Sequence, residues 1–431
     1  MIGGVMDAIC LKNIVLDGHR SDILVRDGRI AGISAAGNAA DGTSVPECGV
    51  ETVDCGGKTA LPGFVNMHTH AAMSLMRGLG EDMVFSQWID RIWNVESKID
   101  EEYVYWATKV ACIEMLRTGT TTFNDHYWHS SAGHRAAVEM GLRPVSSYVV
   151  IDRNDKEESG REKDRICQLY EESLGWSDGA FAAGFHAIYS VSEEMIVWTA
   201  EFARKHGLKL HFHLAETEQE VKDCISRHGI SPVQYLDRLG VLGPDAIAAH
   251  TLWLDEKDIE ILGKRHVNCV HNINSNLKLA SGYRFLYNEL KEAGANICIG
   301  TDGCASSNNL DILEAMKTSA IVQKAWRQDP SAMPLDELLD MATANGAAAL
   351  GIDTGKIRVG ACADIIIVDT DNSFFLSDAP FLANFIYSAH SDCISSVMCG
   401  GRFVMKDRKI QDEKEILSEA RKVLKKITKD K

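Results

Sequence analysis

Short apolar runs alternate with longer amphipathic stretches through the middle of the chain, and the rhythm changes at both ends. Near the start, residues 9–16, 23–26 and 30–33 are rich in β-branched and apolar side chains, with Asp17-Gly18 and Asp27-Gly28 as turn signals between them. They predict short antiparallel strands. Residues 34–50 are small and polar and predict a loop, and 51–60 predict one more strand. From Leu61 onward, strand-like runs recur at 61–67, 120–124, 144–150, 181–186, 208–214, 246–249, 267–271 and 296–300. Helical stretches such as 102–117, 193–206, 218–228 and 255–264 lie between them. This α/β alternation predicts a (β/α)8, TIM-like barrel. The rival is a doubly wound open sheet, which would place a ligand at a switch point, often with a Gly-rich phosphate loop. Neither GxGxxG nor GxxxxGK[ST] occurs. After Leu350 strands return at 356–359, 363–368, 395–399 and 402–405, followed by a polar helix at 414–426. The expected organisation is a catalytic barrel over 61–350 and a small composite β-sandwich domain built from both chain ends, 1–60 plus 351–431.

Composition narrows the function classes. Of 431 residues, 45% are hydrophobic and 25% charged, which excludes a disordered chain. The formal charge of −16 repels phosphate backbones, so nucleic acid is not an expected partner. No run approaches the roughly 20 apolar residues of a membrane helix. The opening MIGGVMDAICLKNIVLDGHR has neither the basic start nor the apolar stretch of a signal peptide, so a cytoplasmic protein is expected. The 12 cysteines are scattered without CxxC spacing, which argues against a thiolate metal site or a disulfide framework.

Histidines and acids gather at the predicted strand ends. His68 and His70 close the first barrel strand in PGFVNMHTHAAMSLMRG, and alternate residues of a strand point the same way. His213 ends the fifth strand, His250 the sixth and Asp302 the eighth. In a barrel these ends converge on one face. His68, His70, His213 and Asp302 then offer three nitrogens and one oxygen, a set that suits one Zn²⁺ with room for water. His211 shares the parity of His213, and spacing alone does not decide between them. His213 is favoured because it lies nearer the strand end and is followed by Glu216. Three residues on, Glu216 is placed to exchange protons with a metal-activated water. Glu218 and Glu220 fit a solvated helix face instead.

These strings resemble the amidohydrolase superfamily, and within it the 5-methylthioadenosine/S-adenosylhomocysteine deaminases and the similar 5′-deoxyadenosine deaminases. The resemblance rests on PGFVNMHTHAAMSLMRG, SQWIDRIWNVESKI, TGTTTFNDHY, HFHLAETEQE, AAHTLWLDEKDI, VHNINSNLKLASG, IGTDGCASSNNLDI and GKIRVGACADIIIVD, and covers essentially the whole chain. It implies a metal-dependent hydrolase that deaminates the 6-amino group of adenosine-type nucleosides. The implied substrates are 5′-methylthioadenosine, S-adenosylhomocysteine, 5′-deoxyadenosine and adenosine. His68, His70, His213 and Asp302 would hold one divalent ion, usually zinc. Glu216 would shuttle the proton, and His250 would orient the attacking water. Asp302 would take up the water proton. Glu96 would accept the ribose hydroxyls, His186 would contact the purine or sugar, and Arg161 would help grip an amino-acid tail.

Two departures qualify the resemblance. Members that bind a charged tail often carry a second arginine near the end of the third strand. Here that stretch is SSYVVIDRND, with an arginine only at Arg153. The family also more often has a proline two residues after the histidine at position 186, where this chain reads AIYSVSEE; no catalytic group is lost. Two alternatives stand beside this reading. One is an amidohydrolase of guanine, a pyrimidine or a triazine, for which a ribose-binding Glu96 has no use. The other is a metal-free homologue kept as a binding module, against which the complete ligand set speaks. The expected partner is a small nucleoside, with neither nucleic acid nor a membrane. A homo-oligomer is compatible with the sequence, its size unspecified.

Overall fold

The computed structural model describes residues 8–36 and 50–428. Its centre is a parallel sheet of nine strands in the order expected for successive βα units. The barrel strands are Phe64–His70, Thr120–His126, Arg143–Val150, Ala180–Phe185, Leu210–Leu214, Ala246–His250, Asn268–His271 and Asn296–Ile299. The short ninth strand, Asp302–Gly303, follows the eighth at once and pairs with Thr69 and His70 of the first, bringing the two ends of the sheet together. Glycine suits position 303, where an added Cβ would lie 2.5 Å from Met73 Sδ and 3.0 Å from His70 Cβ and would force both to shift. The seam is also tied in the interior, where Asn66 Nδ2 donates to Thr301 Oγ1 at 2.7 Å and Asn66 Oδ1 accepts from Thr301 N at 3.1 Å.

The helices pack outside because each carries one apolar face. Several start where the sequence supplies a cap: Asp100, Ser192, Thr217 and Asp255 each accept backbone N–H groups of the first turn. The helix Phe85–Glu96 lies near the strand ends and buries Trp88, Ile92 and Glu96, spaced i, i+4, i+8 on one face.

A second, mixed sheet of eight strands is made from both chain ends. Ala8–Leu16 is its branch point, pairing with His19–Arg26, Val50–Asp54 and Thr59–Pro62. Thr59–Pro62 pairs with Ile365–Val368, which continues to Ile394–Cys399 and Arg402–Met405. A separate core containing Leu11, Ile14, Ile23, Ile365 and Met398 fills this unit. Two expectations are corrected. The single strand at 51–60 is two strands, broken at Gly56 and Gly57, both at positive φ. Residues 356–359 form no strand: Val359 faces solvent, and Ile357 packs on the core of the mixed sheet as irregular chain. The predicted loop at 34–50 lies largely outside the described residues. The closing helix Glu413–Thr428 rests on the barrel helix Glu101–Arg117 through Arg117–Glu413 and Lys426–Glu102 ion pairs.

Sheet and barrel are joined by a buried ion pair between Arg143, at the start of the third strand, and Asp364. Asp364 also accepts from Thr354 Oγ1 and Gly400 N, each at 2.7 Å. Removing one partner of such a pair leaves a desolvated charge. Asp364→Ala is therefore expected to cost about 3–5 kcal/mol in urea unfolding, and Asp364→Asn less. A loss below about 1 kcal/mol would mean that the junction behaves like a surface pair.

Candidate active site and metal centre

The strand ends aim their side chains through unusual backbone. Ala215, His250, Thr251 and Asp302 all have positive φ, at 50°, 75°, 43° and 62°. Non-glycine residues in this region carry a conformational cost of order 1–3 kcal/mol, and such residues cluster at functional sites. Here the turns bring His250 and Asp302 toward the same point.

Around that point, Asp302 Oδ1 lies 3.2 Å from His70 Nε2 and 3.5 Å from His68 Nε2. His213 Nε2 is 3.4 Å from His70 Nε2. His250 Nε2 is 3.7 Å from Glu216 Oε2 and 3.9 Å from Asp302 Oδ2. All six residues are buried. Arrangements of this kind fit a divalent cation for three reasons. First, His68 Nε2 is buried without a hydrogen-bond partner. Second, His70 Nδ1 donates to the His126 carbonyl at 2.7 Å and His213 Nδ1 to the His186 carbonyl at 2.9 Å, leaving each Nε2 lone pair for a ligand. Third, the donor set of imidazoles and one carboxylate is that of a zinc-type ion.

A second trio, His68, His126 and His211, is also close enough to share an ion. It contains no carboxylate, and His211 Nε2 is instead 2.9 Å from His68 Nδ1, a hydrogen-bond contact behind the cluster. Thus His213 reaches the first cluster and His211 stands behind it.

Electrostatics follow from burial and crowding. Burial pushes His68 down to about 4 and His213 well below the usual imidazole range. Burial also acts to lower His70, but the Asp302 carboxylate outweighs it and raises His70 to about 9, so without a cation Nε2 favours a proton that a bound cation would replace. Burial would raise Asp302; the adjacent His68 and His70 imidazoles nevertheless hold it well below the usual carboxylate range. Burial raises Glu216, with His250 partly opposing. Burial lifts Glu96 to about 7 against the hydrogen bond from Tyr127, whose hydroxyl donates to Oε1 at 2.7 Å.

The cavity beside the cluster is lined by His70, His213, Glu216, His250 and Asp302 of the cluster and by Glu96 and His186, whose ring centroid is 5.0 Å from that of His213. Phe85, Trp88, Trp93, Tyr127, Trp128 and Tyr189 form aromatic walls. His186 Nδ1 is 2.8 Å from Ser190 Oγ, and its ring meets Trp93 and Tyr189 edge-on. An outer chamber shares Trp93, Glu96 and Trp128 with this cavity and adds Ile151, Asp152 and Arg153.

Arg161 is not brought to either cavity. It sits in the second turn of the surface helix Lys156–Ser173, with its charge taken up by Glu157 and Glu158. Arg153 does line the outer chamber, with its guanidinium over the Trp93 ring. Glu220 also departs from expectation. It is buried rather than solvated, and accepts from Ala215 N at 3.0 Å and Glu216 N at 2.9 Å, fixing the turn that presents Glu216. Sequence reasoning gave no role to Tyr127, Ser275 or Asn276. Ser275 Oγ donates to Asp302 Oδ2 at 2.6 Å, and Asn276 Oδ1 lies 2.8 Å from His250 Nδ1. Their only sequence signal is the string VHNINSNLKLASG at the seventh strand end.

Comparison with known proteins agrees with this geometry. Residues 59–404 match the model of the amidohydrolase family. The chain is 44% identical over 371 residues to a 5′-deoxyadenosine deaminase of Methanoregula boonei, covering 85% of this chain and 84% of the relative. It is 39% identical over 421 residues to a 5-methylthioadenosine/S-adenosylhomocysteine deaminase of Archaeoglobus fulgidus, covering 94% and 99%. Among solved structures, a zinc-bound adenosine deaminase from Xanthomonas campestris superposes with a TM-score of 0.90 at 31% identity, over 98% of both chains. An atrazine chlorohydrolase from Arthrobacter aurescens shares the fold at a TM-score of 0.86 and 20% identity, over 96% of this chain and 100% of the other.

The donor set leads to a direct expectation. Purified protein should hold about one divalent ion per chain, zinc foremost, by elemental analysis. Chelation should abolish hydrolysis and lower Tm, and zinc should restore both, because a ligand bound only to the folded state stabilises it. Full activity in rigorously metal-free protein would refute the assignment.

Proposed function

Since the chain belongs to the amidohydrolase family, we propose that it hydrolytically removes the 6-amino group of adenosine-type nucleosides, giving inosine-type products and ammonia. One observation carries this reading. A cluster fitted to a zinc-type cation and a buried carboxylate, Glu96, line one aromatic-walled cavity. The walls suit a purine, and Glu96 suits the paired hydroxyls of a ribose.

Zinc, when bound, supplies the Lewis acidity that makes water nucleophilic near neutral pH. Around it, the chain's own residues handle protons. Glu216 takes the first proton of the attacking water and delivers it to the ring nitrogen beside C6, so negative charge does not build up on the ring. His250 orients the water. Asp302 takes the second proton and passes it to the departing amine, which leaves as ammonia. His186 lines the cavity and contacts the purine or the sugar. The eleven described cysteines are all free, in keeping with a reducing compartment, and we place the protein in the cytoplasm. Among the described residues no helix is long and apolar enough to cross a membrane.

Glu216→Gln keeps the shape and removes the proton acceptor, so kcat should fall by roughly 10²–10⁴ with metal content unchanged. A near-normal kcat would move the role elsewhere. The pH dependence has a defined sign. Glu216 must be ionised to accept a proton and burial raises its pKa, so kcat/KM should fall with acid at a pH above the ordinary glutamate range. Glu96 carries a proton below about 7, so KM for a nucleoside should rise as pH falls through that value.

The 5′ substituent extends toward the outer chamber. Val149 and Ile151 give that path an apolar side, and Arg161 is not among its lining residues but pairs with Glu158, which is. A panel of adenosine, 5′-deoxyadenosine, 5′-methylthioadenosine and S-adenosylhomocysteine should show kcat/KM for 5′-deoxyadenosine or 5′-methylthioadenosine at least equal to that for S-adenosylhomocysteine. Free adenine should be poor. Arg161→Ala should change none of these by more than about twofold, since exposed ion pairs contribute only about 0–1 kcal/mol. A selective loss of S-adenosylhomocysteine turnover would place Arg161 in the tail site after all.

A further inference from the structure

Two neighbouring side chains have no part in the proton chemistry above, yet each is bonded to a group that does. Ser275 and Asn276 lie in the short helix Ile273–Lys278, which follows the seventh barrel strand, and both are fully buried. Ser275 Oγ donates to Asp302 Oδ2 at 2.6 Å. Asn276 Oδ1 accepts from His250 Nδ1 at 2.8 Å. The atoms left facing each other, His250 Nε2 and Asp302 Oδ2, are 3.9 Å apart. The helix therefore holds both sides of the gap that the attacking water must enter.

Ordinary core packing does not account for this pair. Asn276 Nδ2 is buried and has no partner, a cost that an apolar side chain of similar size would avoid. What the carboxamide does supply is an acceptor at one ring nitrogen. A neutral imidazole carries one proton, so an acceptor at Nδ1 leaves the Nε2 lone pair toward Glu216 and Asp302. The ring needs such a hold, because the backbone of His250 is itself at φ +75°. Asp302 is divided in the same way. Oδ1 accepts from Gly303 N at 2.7 Å and faces His68 and His70, while Ser275 occupies Oδ2.

We propose that Asn276 and Ser275 are positioning residues. Asn276 fixes the tautomer and ring plane of His250, and Ser275 keeps one oxygen of Asp302 on the metal side and the other on the water side. The helix anchors both to a rigid turn, since Asn276 N donates to Asn272 O at 3.0 Å and Ser281 N to Asn276 O at 2.9 Å. This inference rests on the deaminase reading for its kinetic consequence, but not for its structural one.

The test reads both. In zinc-loaded protein labelled with ¹⁵N-histidine, NMR should place the His250 proton on Nδ1. Asn276→Leu should mix or reverse that tautomer, and Asn276→Asp, which keeps an oxygen acceptor, should preserve it. Asn276→Ala serves if leucine is not accommodated. Metal content should stay at one ion per chain throughout. In nucleoside turnover, Asn276→Leu should lower kcat about 10–100-fold, the range seen when partners of metal-site groups are lost, with KM changed less than about threefold. In a His250→Ala background the same substitution should have no further effect, because it acts through His250. An unchanged His250 tautomer in Asn276→Leu would overturn the proposal, as would kinetic losses that multiply with those of His250→Ala. Absence of nucleoside turnover in the unmodified protein would instead strike the deaminase reading, and the NMR result would still decide the role of Asn276.

Discussion

Crowding of buried ionisable groups is the constraint on which the rest of this structure depends. His68, His70, His213, His250, Glu216 and Asp302 are buried together at one end of the barrel. Burial alone drives imidazoles to neutrality and carboxylates to protonation. The protein meets this with one carboxylate set among the imidazoles, and with backbone carbonyls that take the Nδ1 protons of His70 and His213. Those carbonyls belong to His126 and His186, the residues at the ends of neighbouring strands. The parallel barrel is thus more than a scaffold. Its staggered strand ends are the second layer of the site, and the left-handed residues there are the cost of turning the side chains inward.

Much of this was legible along the chain. Alternation predicts the strands, and the strand ends name His68, His70, His213, His250 and Asp302, because a barrel has only one face on which such ends meet. What sequence could not supply is the phase of segments outside that rule. Arg161 looked available, but its place on the helix Lys156–Ser173 gives it two glutamates within a turn and no cavity. Glu220 looked solvated, yet it caps the turn before its own helix. Glu96 carried a signal that spacing does reveal: it continues the Trp88, Ile92 stripe, and an acid on an apolar stripe is buried for a reason. Ser275 and Asn276 stand only inside the string VHNINSNLKLASG, which does not name their partners, because those lie 27 and 26 positions away and meet them only in three dimensions.

The composite sheet shows the same dependence on distant contacts. Its branch strand Ala8–Leu16 draws on partners both near and far along the chain, and its neighbour Thr59–Pro62 leads directly into the first barrel strand. With Asp364 holding Arg143 at the foot of the third strand, the sheet grips the barrel at the end opposite the histidines.

One consequence concerns the seam. Asp302 both faces the histidine cluster and, through the two-residue strand Asp302–Gly303, joins the last segment of the barrel to the first. A cation held by His68, His70 and Asp302 thus clasps the two ends of the sheet across their shortest stretch of pairing. Emptying the site would loosen that closure locally before any global unfolding, so amide exchange along residues 64–70 and 296–303 would quicken ahead of the rest of the barrel. In a cell, where opened segments are the ones that proteases cut, the lifetime of this protein would then follow the supply of metal as closely as its activity does.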